Sequence, residues 1–152
     1  MPSGRLAAFT VDESTLPAQQ DAAVGLFGGS NWAPTLDTPE NKAFVAAYEK
    51  TYNSVPGSYA MHAYDTAVLI DSAVKAANGN LANKENLRAA LRKAEFKSLR
   101  GDFKFNVNGF PIQDFYLVKV AKRQDGKFQT EIVEKVFDDY PDVYAKECQL
   151  SQ

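Results

Sequence analysis

The chain of 152 residues has a single cysteine and a single histidine. A lone thiol, Cys148, cannot close an intrachain disulfide, and by itself it cannot build a structural zinc site. Charge of one sign is also missing. The 17 basic and 19 acidic residues leave a net charge of −2, which gives no polybasic footprint for a nucleic acid or an anionic membrane surface. Long apolar runs are lacking too. The opening stretch "MPSGRLAAFTVDES" is too polar for a signal peptide or a spanning helix, so the chain as written is expected to stay in the cytoplasm. What is present is enough for a folded core: 45% of residues are apolar and 12% aromatic, and the length corresponds to one domain.

Residues 22–30, "AAVGLFGGS", read as a short buried strand flanked by glycines, followed by a loop with the only tryptophan, Trp32. Thr38 then fits an N-cap and Pro39 the first position of a helix, whose apolar face is Phe44, Val45, Ala47 and Tyr48 and which ends near Asn53. Pro56 and Gly57 mark a loop. The strongest helix runs from Tyr59 to about Ala77, with Ala60, Ala63, Tyr64, Ala67, Val68, Ile70 and Val74 at helical spacing and Asn78-Gly79 at its end. Asn83 caps a shorter helix that carries Leu87, Ala90 and Leu91 inward and runs to about Ala94. Next, "LRGDFKFNVNGFPIQDFYLVKV" reads as a β-hairpin: Phe103, Phe105 and Val107 alternate before Asn108-Gly109, and residues 115–120 form the returning strand. A turn at Asp125-Gly126 leads to a last strand, 128–137, with Ile132, Val133 and Val136 as its apolar positions.

Signals for chemistry are few. His62 and Asp65 stand three positions apart on one helix, but no motif places a serine or cysteine nucleophile beside them. The adjacent pairs Asp12-Glu13 and Asp138-Asp139 lack the spaced acids of a calcium loop, and both pairs are expected to face solvent. "GLFGGS" has neither the ending of a phosphate loop nor the order of a dinucleotide fingerprint. No catalytic residue, metal site or cofactor follows from these features. Aromatic and small polar residues do gather at the ends of elements: Phe9 and Thr10, Asn31 and Trp32, Ser58 and Tyr59, then His62. Binding pockets are built from such residues, and so are ordinary loop edges.

The order of segments is more telling than any one of them. "DTPENKAFVAAYEKTYNSVPGSYAMHAYDTAVLIDSAVKAANG", then "NLRAALRKAEF", then "LRGDFKFNVNGFPIQDFYLVKV", resembles the C-terminal part of type I periplasmic solute-binding proteins, specifically the branched-chain amino acid class with its aromatic-acid members. The resemblance runs from about residue 8 to residue 150. It implies an α/β chain, a partial periplasmic-binding-protein type I fold with three main helices and a C-terminal hairpin and sheet. It implies further that residues 8–55 belong to the second lobe, 56–97 to helices of the first lobe, 98–137 to the hairpin and strands returning to the second lobe, and 138–152 to a tail.

For function, the resemblance implies a non-catalytic receptor that closes two lobes on a small ligand, an amino acid or an aromatic carboxylate, and delivers it to the membrane subunits of an ABC transporter from the periplasm. Residue by residue, Tyr59 matches the aromatic side chain offered to the ligand from the hinge side. Phe9 and Thr10 lie where a second-lobe loop faces the cleft, and Trp32, after the next strand, walls the pocket; Ser58 and His62, from the residues gathered at element ends, complete the expected ligand-binding set. The first lobe's main sheet has no counterpart in this sequence, so the alanine-rich stripe of the long helix is expected to be exposed, and a homodimer is expected. A self-standing oligomeric interaction protein without a small ligand is the alternative.

Overall fold

The computed structural model of the chain describes residues 11–149. A single helical turn, α1 (Leu16–Gln19), and a 3-10 turn (Gln20–Ala23) lead into a short strand, β1 (Phe27–Ser30). The strand expected over 22–30 is therefore half as long. Ala23 is buried with Leu16 and Val120 while Ala22 and Val24 are exposed, so the first residues of that run form a turn with Ala23 on its inner side, and Gly25, at φ 86°, redirects the chain.

The three main helices form where their caps are. At α2 (Pro39–Tyr52) the Thr38 hydroxyl accepts from the Asn41 amide at 3.1 Å, Pro39 stands where no amide is needed, and Asn53 ends the helix in the left-handed region. Helix α3 (Ser58–Ala76) starts from Gly57 and is followed by Asn78 and Gly79, both at positive φ. In α4 (Lys84–Lys93) the Asn83 side chain accepts from the Asn86 amide at 3.1 Å. Of the face expected on α2, Phe44 is buried while Ala47 is exposed.

Strand β3 (Pro111–Lys122) is the common partner of the sheet. It pairs antiparallel with β1, with the two-residue β2 (Lys104–Phe105) and with β4 (Phe128–Tyr140). The expected hairpin at Asn108-Gly109 exists only as this short ladder. Phe103 is drawn out of it, 5.3 Å from the Phe96 ring and 4.7 Å below the Arg100 guanidinium, and Val107 is exposed. The long hairpin is instead β3/β4, turning at Asp125-Gly126 with Gly126 at φ 84°. Its register shifts near Phe115 and between Leu117 and Val118, and such irregularities break strict alternation. Val133 and Val136 are accordingly exposed, contrary to expectation, whereas Thr130 is buried and Ile132 packs partly on Val118.

The core is divided. Val11, Leu16, Ala23 and Val120 close one end of the sheet. Trp32, Phe44, Met61 and Leu99 join the loop after β1 to α2 and α3. Asn41, fully buried, holds that loop: its side-chain oxygen accepts from the Trp32 indole at 2.8 Å, and its amide donates to the carbonyls of Pro34 and Leu36 at 3.1 and 2.9 Å. A buried asparagine with every group satisfied fixes a loop that hydrophobic contacts alone would leave undirected.

Candidate functional site

The N-terminus of α3 has no capping side chain of its own, because Gly57 precedes it. Asp12 supplies the missing acceptor from 46 positions away: its Oδ2 accepts from the Ser58 amide at 2.8 Å, and its Oδ1 accepts from the amide and hydroxyl of Ser14 at 2.9 and 2.6 Å. A carboxylate at a helix N-terminus satisfies an orphan amide and meets the positive end of the dipole. Burial pushes the Asp12 carboxyl up, but the hydrogen bonds from Ser14 and Ser58 outweigh it and hold it below the ordinary carboxylate range. Gly57 makes the approach possible. A Cβ there would stand 2.5 Å from Asp12 Oδ1 and 3.2 Å from the Ser14 nitrogen.

The next residue, Glu13, ties the same loop to β4. It is 5% exposed, and its Oε1 accepts from the Thr130 amide and hydroxyl, both at 2.6 Å. Neither acid of this pair is the free solvent-facing group expected from the sequence, since adjacency in the chain does not reveal partners so far along it. The other pair behaves as expected: Asp138 and Asp139 are exposed and paired with Lys135 and Lys104.

One helical turn further on, Asp65 turns away from His62. It is 3% exposed and accepts from the Ser98 hydroxyl at 2.6 Å, the Leu99 amide at 2.9 Å and Arg100 Nε at 3.2 Å. Arg100 also donates to the Gln113 side-chain oxygen at 2.8 Å, which in turn accepts from Asn31 at 2.9 Å. This chain of bonds runs from α3 through the 98–100 loop and β3 to the end of β1. Asp65 is thereby engaged in structure, and no His62–Asp65 pair forms a catalytic dyad.

Asp12 and Asn31, each held in one of these networks, line an open cleft of about 300 Å³ together with Ser58, Tyr59, His62, Phe115, Val11, Gly29 and Ser30. Tyr59, in the first turn of α3, is 83% exposed. Burial, and after it the positive charge of Arg100, lower the pKa of His62 and leave its imidazole neutral at pH 7. The cleft therefore offers aromatic surfaces and neutral polar groups, with one carboxylate already occupied by three donors.

Three of the residues singled out from the sequence, Ser58, Tyr59 and His62, come together in this cleft. Trp32 does not line it: the residue is 1% exposed and its indole is bonded to Asn41, so it works as a packing residue of the loop. Phe9 and Thr10 lie outside the described residues. Asp12 and Phe115 were not legible as site residues, because their places depend on the pairing of β3 and on the contact between residues 12 and 58. Asn31 was noticeable only as a polar residue at an element end.

Residues 2–127 match the family described as periplasmic binding protein. The chain is 31% identical over 127 residues to the Leu/Ile/Val-binding protein homolog 6 of Brucella abortus, covering 80% of this chain and 32% of that protein. Among solved structures it is similar to an ABC transporter substrate-binding protein from Sphaerobacter thermophilus, with a TM-score of 0.75 and 34% identity over 86% of this chain and 36% of the other. It is also similar to a solute-binding protein of an ABC transporter from R. palustris in complex with 4-hydroxybenzoate, with a TM-score of 0.77 and 30% identity over 92% of this chain and 38% of the other. The chain thus spans about a third of the length of the curated relative it matches.

Proposed function

Because the chain belongs to the periplasmic binding protein family, of the type I branched-chain and aromatic-acid class, we propose that it forms one wall of the ligand cleft of a substrate-binding protein that serves an ABC importer. In this reading residues 8–55 and 98–137 belong to the second lobe, residues 56–97 to helices of the first, and 138–152 to a tail whose first three residues continue β4. Tyr59, Ser58 and His62 meet the ligand, the complete receptor delivers it to membrane subunits, and the complete receptor works in the periplasm. No catalytic step is assigned to the chain.

The observation that carries this reading is the placement of Tyr59. An aromatic ring left 83% exposed on the first turn of a helix that is firmly held by Asp12 costs hydration unless something covers it. With Phe115 and a neutral His62 in the same cleft, the covering group that fits best is a flat apolar ring, hence an aromatic carboxylate ahead of a branched-chain amino acid. The relative with 4-hydroxybenzoate bound supports that order. The carboxylate itself is held by the remainder of the receptor.

The test is an NMR titration of the chain with 4-hydroxybenzoate and, separately, leucine. The expected result is weak, saturable perturbation of the Ser58, Tyr59 and His62 amides by 4-hydroxybenzoate, lost in Tyr59→Ala. Leucine acting equally well, or perturbations confined to other parts of the chain, would contradict the reading.

The outer side of α3 favours a second reading, association with another copy of the chain. Tyr64 and Ile70 are 44% and 51% exposed, and Ala63 and Ala67 beside them are exposed too. Light scattering coupled to size exclusion decides this. A stable monomer at micromolar concentration would remove it.

A further inference from the structure

Asp12 and Glu13 are consecutive, yet they line different cavities. The one that Glu13 lines has a volume of about 520 Å³ and is bounded by Pro17, Asn53, Ser54, Val55, Lys122 and Phe128. It lies between α1, the loop that follows α2, and the β3/β4 turn. Nothing in the receptor reading uses it.

The Glu13 carboxyl is divided in its bonding. Oε1 takes both bonds from Thr130, whereas Oε2 accepts from no other described residue, and only Glu13's own backbone adds to the carboxyl's bonding. Every buried side-chain nitrogen or oxygen atom among the described residues has a partner, so Oε2 is not sealed in: the little surface that Glu13 keeps opens on the cavity it lines. Neither of the two lysines that line the cavity is bonded to it: Lys122 Nζ is bonded to Asp21 at 2.8 Å and lies 5.2 Å from the Phe128 ring centroid, and no ion pair joins Lys127 to Glu13 among the described residues.

We propose that this cavity is a second binding site, for a small primary ammonium ion with a short hydrocarbon body, whose N–H groups are taken by Glu13 Oε2 and by the Asn53 and Ser54 side chains. A buried carboxylate with one open oxygen gains most from a donor that also brings positive charge. Pro17, Val55 and the Phe128 ring offer the apolar surface for the hydrocarbon part. A metal ion is a poorer occupant, because no group of three His, Cys, Asp or Glu side chains converges among the described residues. A carboxylate ligand would meet like charge at Glu13.

The site carries its own pH signature. Burial raises the Glu13 carboxyl to about 7; the other charged groups around it are Asp12, Asp21, Lys122 and Lys127. The ionised fraction of Glu13, and with it the affinity for an ammonium ion, therefore grows about tenfold from pH 6 to pH 8.

The experiment is an NMR titration of the full chain with n-butylammonium, and with butyrate as the matched anion, at both pH values. The proposal expects saturable perturbation around Glu13, Ser54 and Phe128 by n-butylammonium at pH 8, about tenfold weaker at pH 6, none by butyrate, and loss in Glu13→Gln. Ser54→Trp, which fills the mouth without touching the Thr130 bonds, is expected to abolish binding as well, so a poorly folded Glu13→Gln would not rescue the proposal. No saturable binding of n-butylammonium at pH 8, equal binding of butyrate, or binding unchanged by both substitutions would overturn it. The cleft at Tyr59 is read out by different amides, so failure here leaves the receptor reading standing.

Discussion

The two halves of α3 are built differently. In the first half, Asp12 caps the Ser58 amide, Met61 is fully buried in the cluster with Trp32, Phe44 and Leu99, and Asp65 is locked to Ser98, Leu99 and Arg100. In the second half only Ala73 is fully buried, Ile70 is 51% exposed, and the neighbouring α4 has no buried residue at all. One continuous helix thus starts as part of this chain's own core and ends packed against α4 with an apolar side left exposed among the described residues. The difference locates the candidate ligand cleft at the anchored half, where the helix turn that carries Tyr59 is held by Asp12, and leaves the bare half as the surface where the remainder of a receptor, or another copy, would sit.

The contrast is broken most severely at Asp65. Replacing it with alanine leaves the Arg100 guanidinium buried without its carboxylate and removes the acceptor for Ser98 and Leu99, so Asp65→Ala is expected to cost about 3–5 kcal/mol in urea unfolding. A loss below about 1 kcal/mol, the range of an exposed pair, would mean that the anchor is not one. Gly57→Ala comes next. Its Cβ collides with Asp12 Oδ1, an atom already bound by Ser14 rather than the free end of a flexible chain, and the expected cost is about 1–3 kcal/mol. The cost should shrink in an Asp12→Ala background, since the collision partner is then absent; additive effects would show that the strain lies elsewhere.

The neighbouring acids Asp12 and Glu13 should shift stability with pH in opposite directions. Glu13 has a folded pKa of about 7, above its value of 4.5 in the open chain. Its contribution is therefore fully present below pH 4.5 and is lost as the pH rises through 7, and Glu13→Gln is expected to flatten that decline and to be the more stable protein at pH 8. Asp12 is held below 3.8 in the folded chain. Its contribution is present above that value and disappears as the pH falls further. Urea unfolding across pH 3–8 for the two single variants measures both slopes, and a Glu13→Gln protein less stable than the parent at pH 8 would contradict the assignment. The smallest effect is expected on the bare half, where Ile70→Ser should change monomer stability by no more than about 0.5 kcal/mol.

Much of this architecture was legible in the sequence because its signals are local. Thr38-Pro39, Asn83, Asn78-Gly79 and Asp125-Gly126 each act through backbone groups a few residues away, and each was found where expected. The anchors were not legible. Asp12 meets Ser58 across 46 positions and Glu13 meets Thr130 across 117, and an acidic residue in a polar stretch looks the same whether solvent or a distant amide will satisfy it. Strand β3 was read too short at its start for a related reason. Gln113 and Asp114 look like turn residues, yet Gln113 bridges Arg100 and Asn31, and Asp114 accepts from the Tyr116 hydroxyl, Lys135 and the Asp139 amide. Tyr59 was pointed to by resemblance alone, and the burial of Trp32 on Asn41 had no local signal, because an exposed loop tryptophan and one seated on a buried asparagine share the same sequence context.

Amide hydrogen exchange along α3, with and without saturating 4-hydroxybenzoate, tests the central claim most directly. The account predicts slow exchange through the first half of the helix and faster exchange beyond Ile70 in the free chain, with the ligand adding protection only around Ser58, Tyr59 and His62. Uniform exchange along the helix, or ligand protection centred on the bare half near Ile70, would contradict it.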